Sequence, residues 1–212
     1  MTLITLGTVA AGLRLIRKMD QAIELSNRKK LVVVLAGVLG NRFLIWRMGP
    51  QELFSRVLMA VILGCLLLAC VTDLAICQVH NFVWWIGAAA AGLLLWVKLR
   101  GTPEAVSNVL PELLAFCVIQ IILFGRLYGR ADCYAFCVCA GALAGLGLGF
   151  TEFLQHMVLA FSMLTVVQAF RKNISKTGNL KKPVPFLPYI TMAFYLLLPC
   201  EWYKLIHMIL IK

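Results

Sequence analysis

Long apolar runs, separated by short polar segments, extend over almost the whole chain. Each run approaches the roughly 20 residues that a helix needs to cross a bilayer. The segments between the runs contain Pro, Gly or basic residues, which are typical of turns. The pattern predicts helices at 1–16, 31–46, 54–72, 82–98, 108–125, 133–150, 153–170 and 185–200.

The composition excludes an ordinary soluble domain. Of the 212 residues, 62% are hydrophobic and only 14% are charged, and the mean hydropathy is +0.91. A water-soluble surface requires more charge than this. We therefore expect an all-α fold, that of a polytopic integral membrane protein with about seven or eight transmembrane helices in a lipid bilayer.

The distribution of basic residues predicts the orientation of these helices. Alternate crossings bring the segments 14–30, 126–131 and 171–182 to one side, and these hold 13 of the 20 Lys and Arg residues. Basic residues concentrate on the cytoplasmic side of membrane proteins, so this side is predicted to be cytoplasmic. The same rule explains the net charge of +11 without a nucleic-acid partner.

The cysteines do not form a pattern that is typical of metal binding. All eight lie in or beside apolar runs, without paired C-x-x-C clusters. Cys133, Cys137 and Cys139 are close in sequence, but helical spacing puts Cys139 on a different face from the other two. We expect no metal and no organic cofactor.

Two of the nine acidic residues need an explanation, because ionisable side chains are costly at membrane depth. Asp73 follows the apolar run 59–71, and Asp132 stands where the sixth helix begins. The chain crosses outward and returns between them, so both are predicted to lie on the cytoplasmic side. Two carboxyl groups in contact share a proton, and such a pair activates water against a peptide carbonyl.

Each of these acids also has an alternative interpretation. Asp132 at a helix N-terminus is favoured by the macrodipole and could cap the sixth helix. Asp73 lies at a helix C-terminus, where a negative charge opposes the dipole, but it could pair with a basic side chain.

Three local sequences resemble motifs of the type IV prepilin peptidases. Asp73 is followed after five residues by Val79-His80-Asn81, similar to the family's Asp and Ile-Pro-Asn. The segment Gly129-Arg130-Ala131-Asp132 resembles the family's G-x-G-D motif. The segment 184–189, Val-Pro-Phe-Leu-Pro-Tyr, resembles the Ile-Pro-Phe-x-Pro-Phe that opens the family's last helix. The order of the motifs also agrees, over about residues 54–200.

The resemblance implies an aspartic endopeptidase of the inner (cytoplasmic) membrane that cleaves the leader from prepilin-like protein substrates at the cytoplasmic face. It implies that Asp73 and Asp132 are catalytic. It also implies three regions: N-terminal helices with a basic loop (1–53), a catalytic membrane domain (54–200) and an interfacial tail (201–212). The residues that would support the motifs or bind substrate are Asn81, Gly129, Ala131, Pro185 and Phe186.

The chain also departs from the family's motifs. His80 replaces a Pro, Ala131 replaces the second Gly, and Tyr134 stands where the family often has Lys. If position 131 requires a positive φ, an alanine there is unfavourable. The paired C-x-x-C motifs that accompany N-methylation in larger members do not occur, so we expect peptidase activity without methyltransferase activity.

Two other functional classes remain open from the sequence. In a small proton- or cation-coupled transporter, the two aspartates would bind a cation or relay protons. Such carriers typically have acids near the bilayer midplane, whereas these lie at one edge. The chain could also be a non-catalytic scaffold of a pilus or secretion assembly.

Overall fold

The computed structural model describes residues 1–19, 35, 37, 39, 40, 53–101, 103–174 and 184–198. Within these residues the fold is all-helical, as the apolar runs predict, and contains no strand. A short 3₁₀ segment at Phe124–Arg126 follows the fourth of seven bounded helices. The helices are α1 (Thr2–Met19), α2 (Leu53–Ile76), α3 (Asn81–Gly101), α4 (Pro103–Ile122), α5 (Arg130–Gly145), α6 (Phe150–Ile174) and α7 (Leu187–Leu197).

Four helical segments of the described chain are long and apolar enough to cross a membrane, and α7 is a shorter apolar helix. This finding is compatible with a multi-pass membrane protein. The four segments account for only four of the predicted seven or eight spans. The four segments are Leu53–Ile76, Asn81–Gly101, Ser107–Arg126 and Phe150–Phe170.

The helix boundaries differ from the predicted ones in three places. The predicted third helix, 54–72, continues as α2 to Ile76, so Asp73 lies inside the last helical turn. The predicted fifth helix, 108–125, begins at Pro103, because proline is tolerated in a first turn. The predicted sixth helix, 133–150, is displaced to Arg130–Gly145. Gly147, with a φ of +85°, lies in the turn that follows it.

Some predicted segments lie outside the described residues. Only residues 35, 37, 39 and 40 of the predicted helix 31–46 are described, and each is helical. The tail 201–212 and most of the basic segments 14–30 and 171–182 also lie outside.

Helix α2 forms the centre of the bundle and packs against α1, α3 and α7. Its apolar window has a mean hydropathy of 2.5 and is 78% buried, against 17% for the windows of α4 and α6. A helix that is apolar on all sides is stable only when other helices surround it or when lipid does. In α2 the surrounding atoms are largely protein, so the last turn that holds Asp73 is attached to an enclosed helix.

Helices α3 and α5 run parallel and touch through small residues. A Cβ added at Gly141 would lie 3.2 Å from the Ala91 Cβ, and one at Gly145 would lie 2.7 Å from the Leu94 Cγ. Small residues at these two positions serve the packing of the two helices. Glycine lets the two backbones approach, and this contact fixes the register of α5 on α3.

Candidate active site

The register of α3 and α5 brings the two aspartates to the same end of the bundle. In the contact pairs of Ala91 with Gly141 and Leu94 with Gly145, the residue numbers differ by 50 and 51. Asn81, the first residue of α3, is therefore level with the start of α5, where Asp132 lies. A short connection, Cys77–His80, joins α3 to the end of α2 and so brings Asp73 to this end as well.

Asp73 binds the start of another helix. Its Oδ2 accepts a hydrogen bond from the backbone N–H of Leu187 at 3.3 Å, and the N–H of Phe186 also contributes. The first N–H groups of a helix have no partner within that helix and carry partial positive charge. The N-terminus of α7 therefore compensates for the unfavourable position of Asp73 at the end of α2. Within the described residues its partner is thus a helix end, and no described basic side chain forms the ion pair of the alternative interpretation.

Asp132 is the third residue of α5 and does not occupy the capping position. That position belongs to Gly129, with a φ of +113° and a ψ of 148°. A Cβ at Gly129 would lie 3.4 Å from the Asp132 Oδ2, so the carboxyl group folds back over the glycine. The simple capping role considered for Asp132 does not match this geometry, although the helix dipole still favours an acid there.

Alanine at position 131, where the resembled G-x-G-D motif has its second glycine, fits the local backbone. Among the described residues, Cys77 is the only non-glycine with a positive φ, so Ala131 adopts ordinary helical backbone. The conformation that demands glycine belongs to Gly129. Alanine at position 131 therefore does not strain the start of α5.

The carboxyl groups of Asp73 and Asp132 lie close enough to interact electrostatically. Both side chains are partly buried. Simultaneous ionisation of two carboxyl groups in this situation is unfavourable, and a proton shared between them relieves the repulsion. The arrangement therefore favours a state in which one of the two carboxyl groups is protonated and the other is ionised.

An aromatic cluster of Tyr128, Phe136, Phe161 and Phe186 positions the start of α7. Phe186 is buried, and its ring lies 4.9 Å from that of Phe161 and 6.0 Å from those of Tyr128 and Phe136. The Tyr128 hydroxyl donates a hydrogen bond to the Gln120 side chain on α4. These contacts fix Phe186 directly before Leu187, the residue whose N–H binds Asp73.

Prolines flank this binding position without disturbing it. Pro185 precedes Phe186 and is partly buried, and Pro188 is the second residue of α7. A proline in the first turn removes no hydrogen bond from the helix, and its fixed φ favours helix initiation. The two prolines therefore help to begin α7 at Leu187 while leaving that residue's N–H available.

His156 combines apolar packing with one polar contact. Its Nε2 lies 2.9 Å from the carbonyl oxygen of Ile190 on α7. The ring is buried at 5.3 Å from Phe136 and 5.9 Å from Phe194. His156 thus links α6 to α7 one turn beyond Leu187. An isolated histidine in an apolar segment does not reveal such a contact in the sequence.

The remaining predicted site residue is exposed at the same end. Asn81 borders a cavity of about 450 Å³ between α3, α4 and α5, and so does Tyr134, two residues after Asp132. Asn81 and Gly129 are both exposed, whereas Ala131 is partly buried. In the described part of the chain, no group of three or more His, Cys, Asp or Glu side chains has the arrangement of a metal site.

Comparisons with protein-family models, with curated proteins and with solved structures found no match to this chain.

Proposed function

We propose that the chain is a membrane-embedded aspartic endopeptidase that removes the leader of type IV prepilin-like substrates at the cytoplasmic face of the inner membrane. The observation that carries the proposal is that the packing of α3 and α5 brings Asp73 and Asp132 to one end of the bundle, close enough to interact electrostatically. The two residues are 59 positions apart (132 less 73) and reach this end on different helices. The resemblance of three local sequences to prepilin peptidase motifs supports the same reaction.

The proposed reaction uses the two carboxyl groups in different roles. The N–H groups at the start of α7 stabilise a negative charge on Asp73, so we assign it the base. Asp73 takes a proton from water as the water oxygen attacks the scissile carbonyl carbon. Asp132 gives its proton to the carbonyl oxygen, which forms the tetrahedral intermediate. When the C–N bond breaks, the leaving nitrogen takes a proton from the pair.

The proposal includes a topology of seven or eight transmembrane helices. In this topology α1, the segment 31–46, α5 and α7 would cross the membrane in addition to the four long apolar segments. The ends of α2 and α5 that bear the aspartates would then face the cytoplasm, together with the basic segment 126–131.

Sealed membrane vesicles test the activity and its side together. A synthetic peptide that spans the leader cleavage site of a candidate prepilin would be added to inside-out and right-side-out vesicles containing the protein. We expect cleavage by inside-out vesicles alone, where the cytoplasmic face is exposed. Vesicles containing an Asp73→Asn, Asp132→Asn double variant serve as the control and should not cleave.

The alternative classes predict a different result. A carrier or a scaffold would give no cleavage by either vesicle type although the folded protein is present. Cleavage that persists in the double variant would also contradict the proposal, because it would require another catalytic group.

A further inference from the structure

Cys117 and Cys137 differ from the other described cysteines in their surroundings. Both are partly buried, whereas four of the others are buried and Cys77 is exposed. Both also line the cavity of about 450 Å³ between α3, α4 and α5, and no other described cysteine does so. The two thiols are therefore candidates for chemistry that the aspartate pair does not use.

The packing of α4 and α5 brings the two cysteines to the same level. These helices are consecutive and antiparallel, and a short connection reverses the chain between them. A Cβ added at Gly125 in this connection would lie 3.9 Å from both the Gln120 carbonyl oxygen and the Cys133 Sγ. One helical turn farther from the connection, Cys117 follows Gln120 on α4 and Cys137 follows Cys133 on α5.

The side chains of Cys117 and Cys137 are also in direct contact. One thiol donates a hydrogen bond to the sulfur atom of the other. A disulfide requires two sulfur atoms that approach to about 2 Å from side chains that point toward each other. Two thiols that already share a hydrogen bond need only a small movement to reach this geometry. The contact therefore favours a disulfide between the two helices.

The cavity gives small apolar molecules a route to the two thiols. Two of its lining residues, Trp85 and Ile121, are 76% and 51% exposed, so its rim reaches the outer surface of α3 and α4. Ile121 lies about one turn from Cys117 on the same helix. In a bilayer this surface lies against lipid. An apolar reagent therefore reaches the pair at a lower desolvation cost than a charged one.

We propose that Cys117 and Cys137 form a redox-active dithiol, which closes to a disulfide between α4 and α5 by exchange with an apolar disulfide of low molecular weight. The site requires neither aspartate and is separate from the proposed peptidase reaction.

The exchange proceeds in two balanced steps. The thiolate of one cysteine attacks a sulfur atom of the reagent, forms a mixed disulfide and releases one half of the reagent as a thiolate. The thiolate of the second cysteine attacks the protein sulfur of the mixed disulfide and releases the other half. The protons of the two cysteines pass to the two released thiolates. The protein is thus oxidised by two electrons, and the reagent is reduced by two.

Membrane vesicles that contain the reduced protein test the site with dithiodipyridine, an apolar aromatic disulfide. After the reaction the remaining thiols are alkylated, and the protein is digested with trypsin without reduction. Trypsin cleaves after Lys and Arg, so Cys117 lies in the fragment 101–126 and Cys137 lies in the fragment 131–171. We expect mass spectrometry to detect the two fragments joined by a disulfide. Dithiothreitol added to the vesicles before alkylation should separate them.

Variants identify the partner of Cys117, because the fragment 131–171 contains three cysteines. Cys137→Ala should lower the yield of joined fragments at least about tenfold and leave Cys117 as a mixed disulfide with the reagent. Cys139→Ala is the matched control, because Cys139 is a buried thiol two residues away on the same helix. Its yield should equal that of the wild type.

Two results would overturn the proposal. In the first, Cys117 of the wild type stays unmodified or remains a mixed disulfide, so that no bond forms between the helices. In the second, Cys137→Ala gives as much joined fragment as the wild type, so that Cys117 pairs with another cysteine.

A charged disulfide tests the route to the pair. Oxidised glutathione carries ionised groups, so we expect it to join the fragments at least about tenfold less than dithiodipyridine does. Modification of the exposed Cys77 by each reagent corrects for their different reactivities. Equal yields after this correction would mean that the pair is reached from water, which contradicts exchange with an apolar disulfide through the cavity.

Discussion

The two ends of the bundle each hold a pair of acids, and the pairs differ in what they bind. Where α6 begins, the Glu112 Oε2 accepts the N–H of Phe150 at 2.8 Å and the Glu152 Oε2 accepts the N–H of Gly149 at 2.9 Å. At the opposite end, Asp73 accepts an N–H at the start of α7. Asp132 accepts no hydrogen bond from any described residue, but it interacts electrostatically with Asp73.

This difference distinguishes Asp132 from the other three acids. Glu112, Glu152 and Asp73 each satisfy N–H groups that a helix start leaves unpaired, and Glu152 does so in the manner of a capping box. Asp132 has no such partner among the described residues, and it interacts electrostatically with Asp73, a group of the same charge. An acid in this position contributes little to stability, which makes it the most informative residue to change.

The largest effect is expected from Asp132→Asn. The variant cannot exchange the catalytic proton, so leader cleavage should fall by more than about a hundredfold. The melting temperature in detergent should stay near that of the wild type, because no hydrogen bond is lost. Glu152→Gln is the matched control, since glutamine also serves in a capping box, and its cleavage rate should stay within about twofold of the wild type. If Asp132→Asn cleaved at the wild-type rate, the acids at the two ends of the bundle would not differ in function.

An intermediate effect is expected from Gly129→Ala. The φ of +113° is a conformation that is nearly restricted to glycine, and an alanine there costs about 1–3 kcal/mol. The start of α5 should shift, and with it Asp132, so we expect a clear loss of melting temperature and a roughly tenfold slower cleavage.

Ala131→Gly is the control for this substitution, because it restores the second glycine of the family motif. Position 131 is helical, so the change should cost only about 0.5–1 kcal/mol and leave cleavage within about twofold. A tenfold gain in activity would instead show that position 131 needs the conformational freedom of glycine.

The smallest effect is expected from Glu112→Ala at the other end. The exposed Phe150 N–H would lose its acceptor, at a cost of about 0.5–1.5 kcal/mol. We expect a melting temperature a few degrees lower and an unchanged cleavage rate, measured on the same preparation. Slow cleavage by a stably folded Glu112→Ala protein would mean that this end also takes part in the reaction.

The helices could be predicted because apolar length and turn residues determine them locally. The predicted helix 82–98 lies within the observed Asn81–Gly101. The boundaries were less accurate where the local pattern is ambiguous. Asp73 interrupts an apolar run without ending the helix, because its charge is satisfied by the start of α7.

The details of the site depend on contacts that no local pattern contains. Asp73 and Leu187 are 114 positions apart, so the binding of an acid by the start of α7 follows only from the packing of α7 on α2. The aromatic cluster has members on α5 and α6 and in the segments before α5 and α7. The effect of Ala131 could not be decided from the motif alone, because the sequence does not tell which of two positions adopts the positive φ.

The shortness of α5 has a consequence for how the protein is made. This helix has 16 residues, begins with Arg130 and is not among the four segments of the described chain that could cross a membrane by length and composition. The hydrophobic driving force for moving α5 alone from the insertion machinery into lipid is therefore small. The helix on which α5 packs, α3, is synthesised before it, with α4 between them. We expect α5 to be retained until α3 is in place. A ribosome-bound chain would thus lack the completed aspartate pair, and the proposed peptidase activity would begin only after membrane integration is finished.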